Sequence, residues 1–173
     1  LSSRLVFKEY LDTCDLSGTI VVAPDMGQAK SAARFARTLN LPVAAGNKER
    51  ISDTEVIVGG LVGNQVKGHK RALIYDDEIA TGGSILEMSR VLINEGIEDI
   101  MVMCTHGVFS RDGLARLAAV PQISQIVTTD TVNIPAEKLH PKLKVLSVGK
   151  VFADAIRHNF NHESISDLFV FGE

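Results

Sequence analysis

The chain has 173 residues, a formal net charge of -3 and 45% hydrophobic residues, enough for one domain with its own core. With 18 basic against 21 acidic residues and no long block of either sign, a general nucleic-acid-binding surface is excluded, and no apolar run reaches the ~18 residues of a membrane span. The two cysteines, Cys14 and Cys104, fit no metal spacing and read as buried free thiols, so a soluble cytoplasmic protein is expected.

Residues 1–11 carry a partial helical face in Leu5, Phe7, Tyr10 and Leu11; no Met or cap precedes it, as expected of a piece of a longer chain. Residues 19–23 (TIVVA) read as a buried strand ended by Pro24. Ala32, Ala33, Phe35, Ala36 and Leu39 then recur at helical spacing over 30–39. Residues 41–45 and 55–59 are the next strand candidates, and the polar stretch 46–54 between them reads as a mobile loop. A strand at 72–75 precedes a helix over 84–94, with Ser84 expected as N-cap, Glu87 three residues on and Gly96 as the stop. A strand at 100–104 is bounded by Thr105, His106 and Gly107, and a helix follows over 112–119. Strands at 125–129 and 144–148 and a helix over 150–159 complete the set. This alternation predicts an α/β fold with a mainly parallel sheet and helices on both faces, because Val/Ile-rich strands of this kind are covered on both sides.

Ligands of such sheets bind beyond the carboxyl ends of the strands. Asp25, Asp76, Asp77 and residues 105–110 all follow strands and are expected around one cleft. The densest signal is Tyr75-Asp-Asp-Glu-Ile-Ala-Thr-Gly-Gly-Ser84. Gly82 and Gly83 let backbone N–H groups converge, Thr81 and Ser84 add hydroxyls, and the following helix adds its positive end, so the segment reads as a phosphate cradle. Asp76 and Asp77 are then placed for ribose hydroxyls or Mg²⁺. No Gly-Lys-Ser or Gly-Lys-Thr follows, so this is not a Walker loop, and it is not a dinucleotide fingerprint. Asp25 reads as a metal ligand or as the residue of a local turn. Lys48 and Arg50 read as solvated charges or as partners for phosphate. His106 is expected to pin its loop or touch ligand, and His69, His140, His158 and His162 to play surface or structural roles.

Together, Val22-Ala-Pro-Asp-Met-Gly27, residues 75–84, Cys104-Thr-His-Gly-Val-Phe-Ser110, Thr128-Thr-Asp130, Leu146-Ser-Val-Gly149 and Glu163-Ser-Ile-Ser-Asp-Leu-Phe169 resemble the C-terminal half of the ribose-phosphate pyrophosphokinases over nearly the whole chain. The resemblance implies a type I phosphoribosyltransferase fold over 1–173 and transfer of the diphosphoryl group of ATP to ribose 5-phosphate, with Mg²⁺ as cofactor and a homo-oligomer as the working form. It implies that Thr81, Gly82, Gly83 and Ser84 hold the 5-phosphate, that Asp76 and Asp77 face the ribose, that Asp25 is the metal aspartate, and that Lys48 and Arg50 neutralise the migrating diphosphate. Three departures stand out: the family's N-terminal half is missing, Ala80 stands where the synthetases usually carry an aspartate, and Glu49 follows Lys48 where a second basic residue is usual. They leave two alternatives, a nucleobase phosphoribosyltransferase and a non-catalytic phosphoribosyl-binding protein.

Overall fold

The computed structural model describes residues 1–50, 56–62 and 66–169, with 48–50, 56–62 and residue 167 described by backbone alone. The elements run in the order α1 (Arg4–Leu11), β1 (Thr19–Ala23), α2 (Ala29–Thr38), β2 (Val43–Arg50), β3 (Val56–Val62), β4 (Arg71–Ile79), α3 (Gly83–Asn94), β5 (Asp99–Gly107), α4 (Gly113–Ala118), β6 (Ile123–Thr129), β7 (Leu143–Leu146) and α5 (Gly149–Phe160). The seven strands form one sheet in the order β3-β2-β1-β4-β5-β6-β7. Every pairing is parallel except β2 with β3, an antiparallel hairpin at the edge.

Strand alternation builds the core twice over. Ile20 and Val22 of β1, Ala72 and Ile74 of β4 and Ile100, Val102 and Cys104 of β5 face α3 and α4, meeting Ile85, Met88, Leu92, Leu114 and Leu117. Val21, Ala23, Leu73, Tyr75, Met103 and Val127 face the other way, meeting Phe7 and Leu11 of α1 and Ala32, Phe35 and Ala36 of α2. The expected helices on both faces of a mainly parallel sheet are therefore present. Among the described residues no helix is long and apolar enough to cross a membrane.

The structure corrects several boundaries. β4 does not stop at Tyr75 but runs on through Asp76, Asp77 and Glu78, pairing Asp76 with Cys104, Glu78 with His106 and Ile79 with Gly107. By the same ladder, 105–107 belong to β5 rather than to a bounding loop. Residues 46–50 belong to β2, where Lys48 pairs with Val58 and Arg50 with Val56; the rest of the expected loop, 51–54, lies outside the described residues, as does residue 55 of the expected third strand. Ser84 is not the N-cap of α3: Gly82, at φ 75°, takes that position, and no side chain caps the helix. Gly96 does end it, in a Schellman arrangement with Ile97 N–H donating to Leu92 O and Gly96 N–H to Ile93 O. Cys104 is buried as expected, but Cys14 is partly exposed.

Candidate functional site

The end of β4 is anchored from below by rings. Tyr75 stacks on Phe35 with centroids 4.3 Å apart, and Phe7 meets both edge-on at 6.2 Å. With Tyr75 held on the α1/α2 side, strand alternation sends Asp76 to the α3/α4 side. Asp77 is exposed while Asp76 is half-buried, and the Asp77 carboxyl stays close enough to that of Asp76 to act on it directly. Asp76 accepts the N–H of Asp77 at 2.9 Å.

Beyond Ile79 the chain turns sharply into α3. The turn is tied down from outside: Phe109 N–H donates to Ile79 O at 3.0 Å and Ser110 N–H to Ala80 O at 2.9 Å. Gly113, at the start of α4, sits so close that a Cβ there would lie 3.0 Å from both Ala80 O and Thr81 O. These contacts hold the carbonyls of the turn toward α4. Leu86 N–H donating to Gly82 O at 2.9 Å opens the helix ladder, and the amides ahead of it have no intrahelical acceptor. The result is a cleft of about 190 Å³ lined by Asp76, Glu78 and residues 79–85. Thr81, Gly82, Gly83 and Ser84 therefore lie together with Asp76 around one hollow at a helix N-terminus, a geometry suited to an anion bearing hydroxyls.

Burial foremost, with the neighbouring charges of Asp77 and Asp25 adding to it, pushes the Asp76 carboxyl up to about 7. Asp25 follows β1, next to β4 in the sheet, and its Oδ1 accepts the Gln28 N–H at 3.2 Å. Asp25 thus makes a local turn bond while standing near enough to Asp76 for the two charges to repel. Lys48 and Arg50 are carried by the backbone of the edge hairpin, on the far side of β1 from β4. His106 lies outside this cleft and pins its segment, with Nδ1 2.9 Å from Thr131 Oγ1. His69 Nδ1 lies 3.0 Å from Gly18 O, His140 Nδ1 accepts the Lys142 N–H at 3.1 Å, and His158 Nδ1 lies 2.7 Å from Ser164 O. Among the described residues no group of three or more His, Cys, Asp or Glu side chains is placed to hold a metal. The sequence pointed to the segment 105–110 but not to the part its backbone plays in tying the turn down, and it did not point to Gly113; a glycine near the start of a predicted helix was the available trace.

A mainly parallel sheet with an edge hairpin, and a Thr-Gly-Gly-Ser turn entering the helix after its central acidic strand, define a type I phosphoribosyltransferase-like α/β protein. The chain matches the phosphoribosyl synthetase-associated domain over residues 56–170 and belongs to the ribose-phosphate pyrophosphokinase family. It is 39% identical over 174 residues to a ribose-phosphate pyrophosphokinase of Deinococcus radiodurans, covering 98% of this chain and 53% of that protein. A ribose-phosphate pyrophosphokinase of Rhodopirellula baltica is 39% identical over 150 residues, covering 87% and 47%. The crystal structure of phosphoribosylpyrophosphate synthetase from Mycobacterium smegmatis superposes with a TM-score of 0.81 at 30% identity, over 92% of this chain and 51% of that one. The chain thus spans about half the length of the relatives it matches.

Proposed function

We propose that residues 1–173 form the phosphoribosyltransferase-like C-terminal half of a ribose-phosphate diphosphokinase, which transfers the diphosphoryl group of ATP to ribose 5-phosphate and releases AMP. The observation that carries this reading is the cleft in which Asp76 and residues 81–84 line one hollow at the N-terminus of α3. In this reading the amides and hydroxyls of Thr81, Gly82, Gly83 and Ser84 hold the 5-phosphate, and Asp76, with Asp77 at the rim, orients the ribose. The 1-hydroxyl attacks the β-phosphorus of ATP roughly in line, and AMP leaves. Lys48 and Arg50, brought over the site by the hairpin, neutralise charge on the migrating diphosphate.

Mg²⁺ suits the donor set. Mg²⁺ is held through one or two carboxylates plus substrate phosphates and water, and Asp25 and Asp76 are two carboxylates whose mutual repulsion a cation between them would relieve. Bound there with ATP, the ion would supply charge neutralisation at the phosphates. A homo-oligomer is the working form we infer, in the cytoplasm.

Ala80 favours a second reading, a phosphoribosyl-binding protein without turnover, because it removes a carboxylate from the ribose side. The purified chain mixed with ATP, ribose 5-phosphate and Mg²⁺ distinguishes them: AMP release eliminates the non-catalytic reading, and turnover only with a nucleobase and phosphoribosyl pyrophosphate would establish a phosphoribosyltransferase instead. The cradle itself is tested by calorimetry. Thr81→Val should weaken ribose 5-phosphate binding by about 1–3 kcal/mol, the cost of a lost hydrogen bond to a charged group. Unchanged affinity would remove residues 81–84 from the site.

A further inference from the structure

Glu78 lines the Asp76 cleft but has no role in the chemistry assigned so far. The sheet fixes its backbone at the mouth of the hollow. Glu78 pairs with His106 in the ladder, and the Ile79 carbonyl just beyond accepts the Phe109 N–H at 3.0 Å. Ile79 is 2% exposed and belongs to the core, whereas Glu78 is open to solvent. Among the described residues the Glu78 side chain has no hydrogen-bond or ion-pair partner. A glutamate is a poor strand former, and here its carboxylate adds no contact to the fold.

The hollow it lines is polarised. At the turn end, residues 81–84 offer backbone amides and two hydroxyls, all able to donate. At the strand end, Asp76 and Glu78 bring carboxylates, which accept when ionised. Ile79 and Ala80, between the two ends, bring no polar side chain. Donors at one end and acceptors at the other suit a ligand that is an anion at one end and carries hydroxyls at the other. A bare anion reaching from the turn toward the strand meets like charge instead.

We propose that Glu78 is a specificity-determining residue of this cleft: its carboxylate accepts a hydrogen bond from a hydroxyl of the sugar whose phosphate sits on residues 81–84. The same charge acts against phosphates that have no hydroxyl to offer. A charged acceptor suits the task, since hydrogen bonds to ionised groups are roughly twice as strong as neutral ones. With its backbone fixed by the ladder, the side chain loses only its own rotamer freedom on binding. The inference rests on the reading of residues 81–84 as a phosphate cradle. It adds the residue by which that cradle tells a sugar phosphate from phosphate alone.

Calorimetry on the full chain, with divalent cations chelated so that none bridges ligand and carboxylate, tests this with two probes, ribose 5-phosphate and inorganic phosphate. Glu78→Ala should weaken ribose 5-phosphate about tenfold, the loss of one hydrogen bond to a charged group. Inorganic phosphate should bind the variant as well as the wild type or more tightly, because a repelling charge has gone. The side chain is exposed, so the circular dichroism spectrum should not change. Ribose 5-phosphate affinity that stays the same or rises in Glu78→Ala would make Glu78 a solvated rim charge and overturn the proposal. An equal loss for both probes would also overturn it, since that marks a distorted cradle and not a missing hydroxyl contact. A wild-type chain that binds neither probe would instead remove the cradle reading itself, a result distinct from two probes that bind and a variant that changes nothing.

Discussion

Asp76 is a carboxyl held partly out of water where β4 leaves the core, beside Asp77 and within reach of Asp25. Its native pKa, pushed up to about 7 chiefly by burial, lies above the ordinary value of 3.8. Between those values the folded chain holds a proton that the unfolded chain releases, so stability falls as pH rises from about 4 through 7 and the cost of the buried charge is complete above that. Asp76→Asn should therefore stabilise the protein at about pH 8 by roughly 1–2 kcal/mol, allowing for solvent screening of a partly exposed group, and do little near pH 4. Urea titrations at the two pH values check this; a gain of the same size at both would remove the titration as its cause. Arg4 is the complementary case. Its Nη1 is buried without a hydrogen-bond partner among the described residues. A methionine keeps the length of the stem and removes the unsatisfied donor, so Arg4→Met should leave thermal stability unchanged or raise it by about 1 kcal/mol. A loss of more than that would reveal a partner for the guanidinium. Of these residues the sequence made Asp76 and residues 81–84 legible, because acids after an apolar run and paired glycines before a helical period are local signals. That Asp76, Asp77 and Glu78 stay in the strand was not legible, because the ladder with β5 decides how far the strand continues.

The elements show the same division. β1 and α2 were readable within a residue or two, since residues 20–23 are apolar throughout and α2 keeps a strict helical period. The outer halves of β4 and β5 were not, because beyond the core edge their side chains turn polar and only the backbone pairing holds them extended. The sharp turn between β4 and α3 is also set from outside its own sequence. Gly113 lies some thirty residues downstream, yet a Cβ there would lie only 3.0 Å from the carbonyl oxygens of Ala80 and Thr81, tighter than an ordinary contact. Gly113→Ala must displace that backbone, at a cost of about 1–3 kcal/mol by overpacking. Because the displaced carbonyls belong to the proposed phosphate turn, ribose 5-phosphate affinity should also fall, by about tenfold. Thermal melts and calorimetry on the same variant separate the two effects. A loss of stability with full affinity would mean that the turn keeps its shape independently of α4.

At the scale of the molecule the order of the strands was the least legible feature, because nothing in a run of Val and Ile states which neighbour it pairs with. The chain begins its sheet at β1, goes outward through β2 and β3, and returns to place β4 on β1's other side. That return makes the sheet a wall shared by both halves of the core. β1, β4, β5 and β6 each give alternate residues to the α3/α4 cluster and to the α1/α2 cluster. Neither cluster can melt alone, since losing one would expose the backs of strands that the other still needs ordered. Phe35→Ala on one side should cost about 3–5 kcal/mol and Leu92→Ala on the other about 2–5, as both side chains are fully buried. Both should lower the midpoint of a single transition, with far-UV circular dichroism and tyrosine fluorescence tracing the same curve, Tyr75 reporting from the α1/α2 side. If Leu92→Ala split the transition, so that the tyrosine signal outlasted the loss of helix, the clusters would be independent and the shared sheet would not couple them.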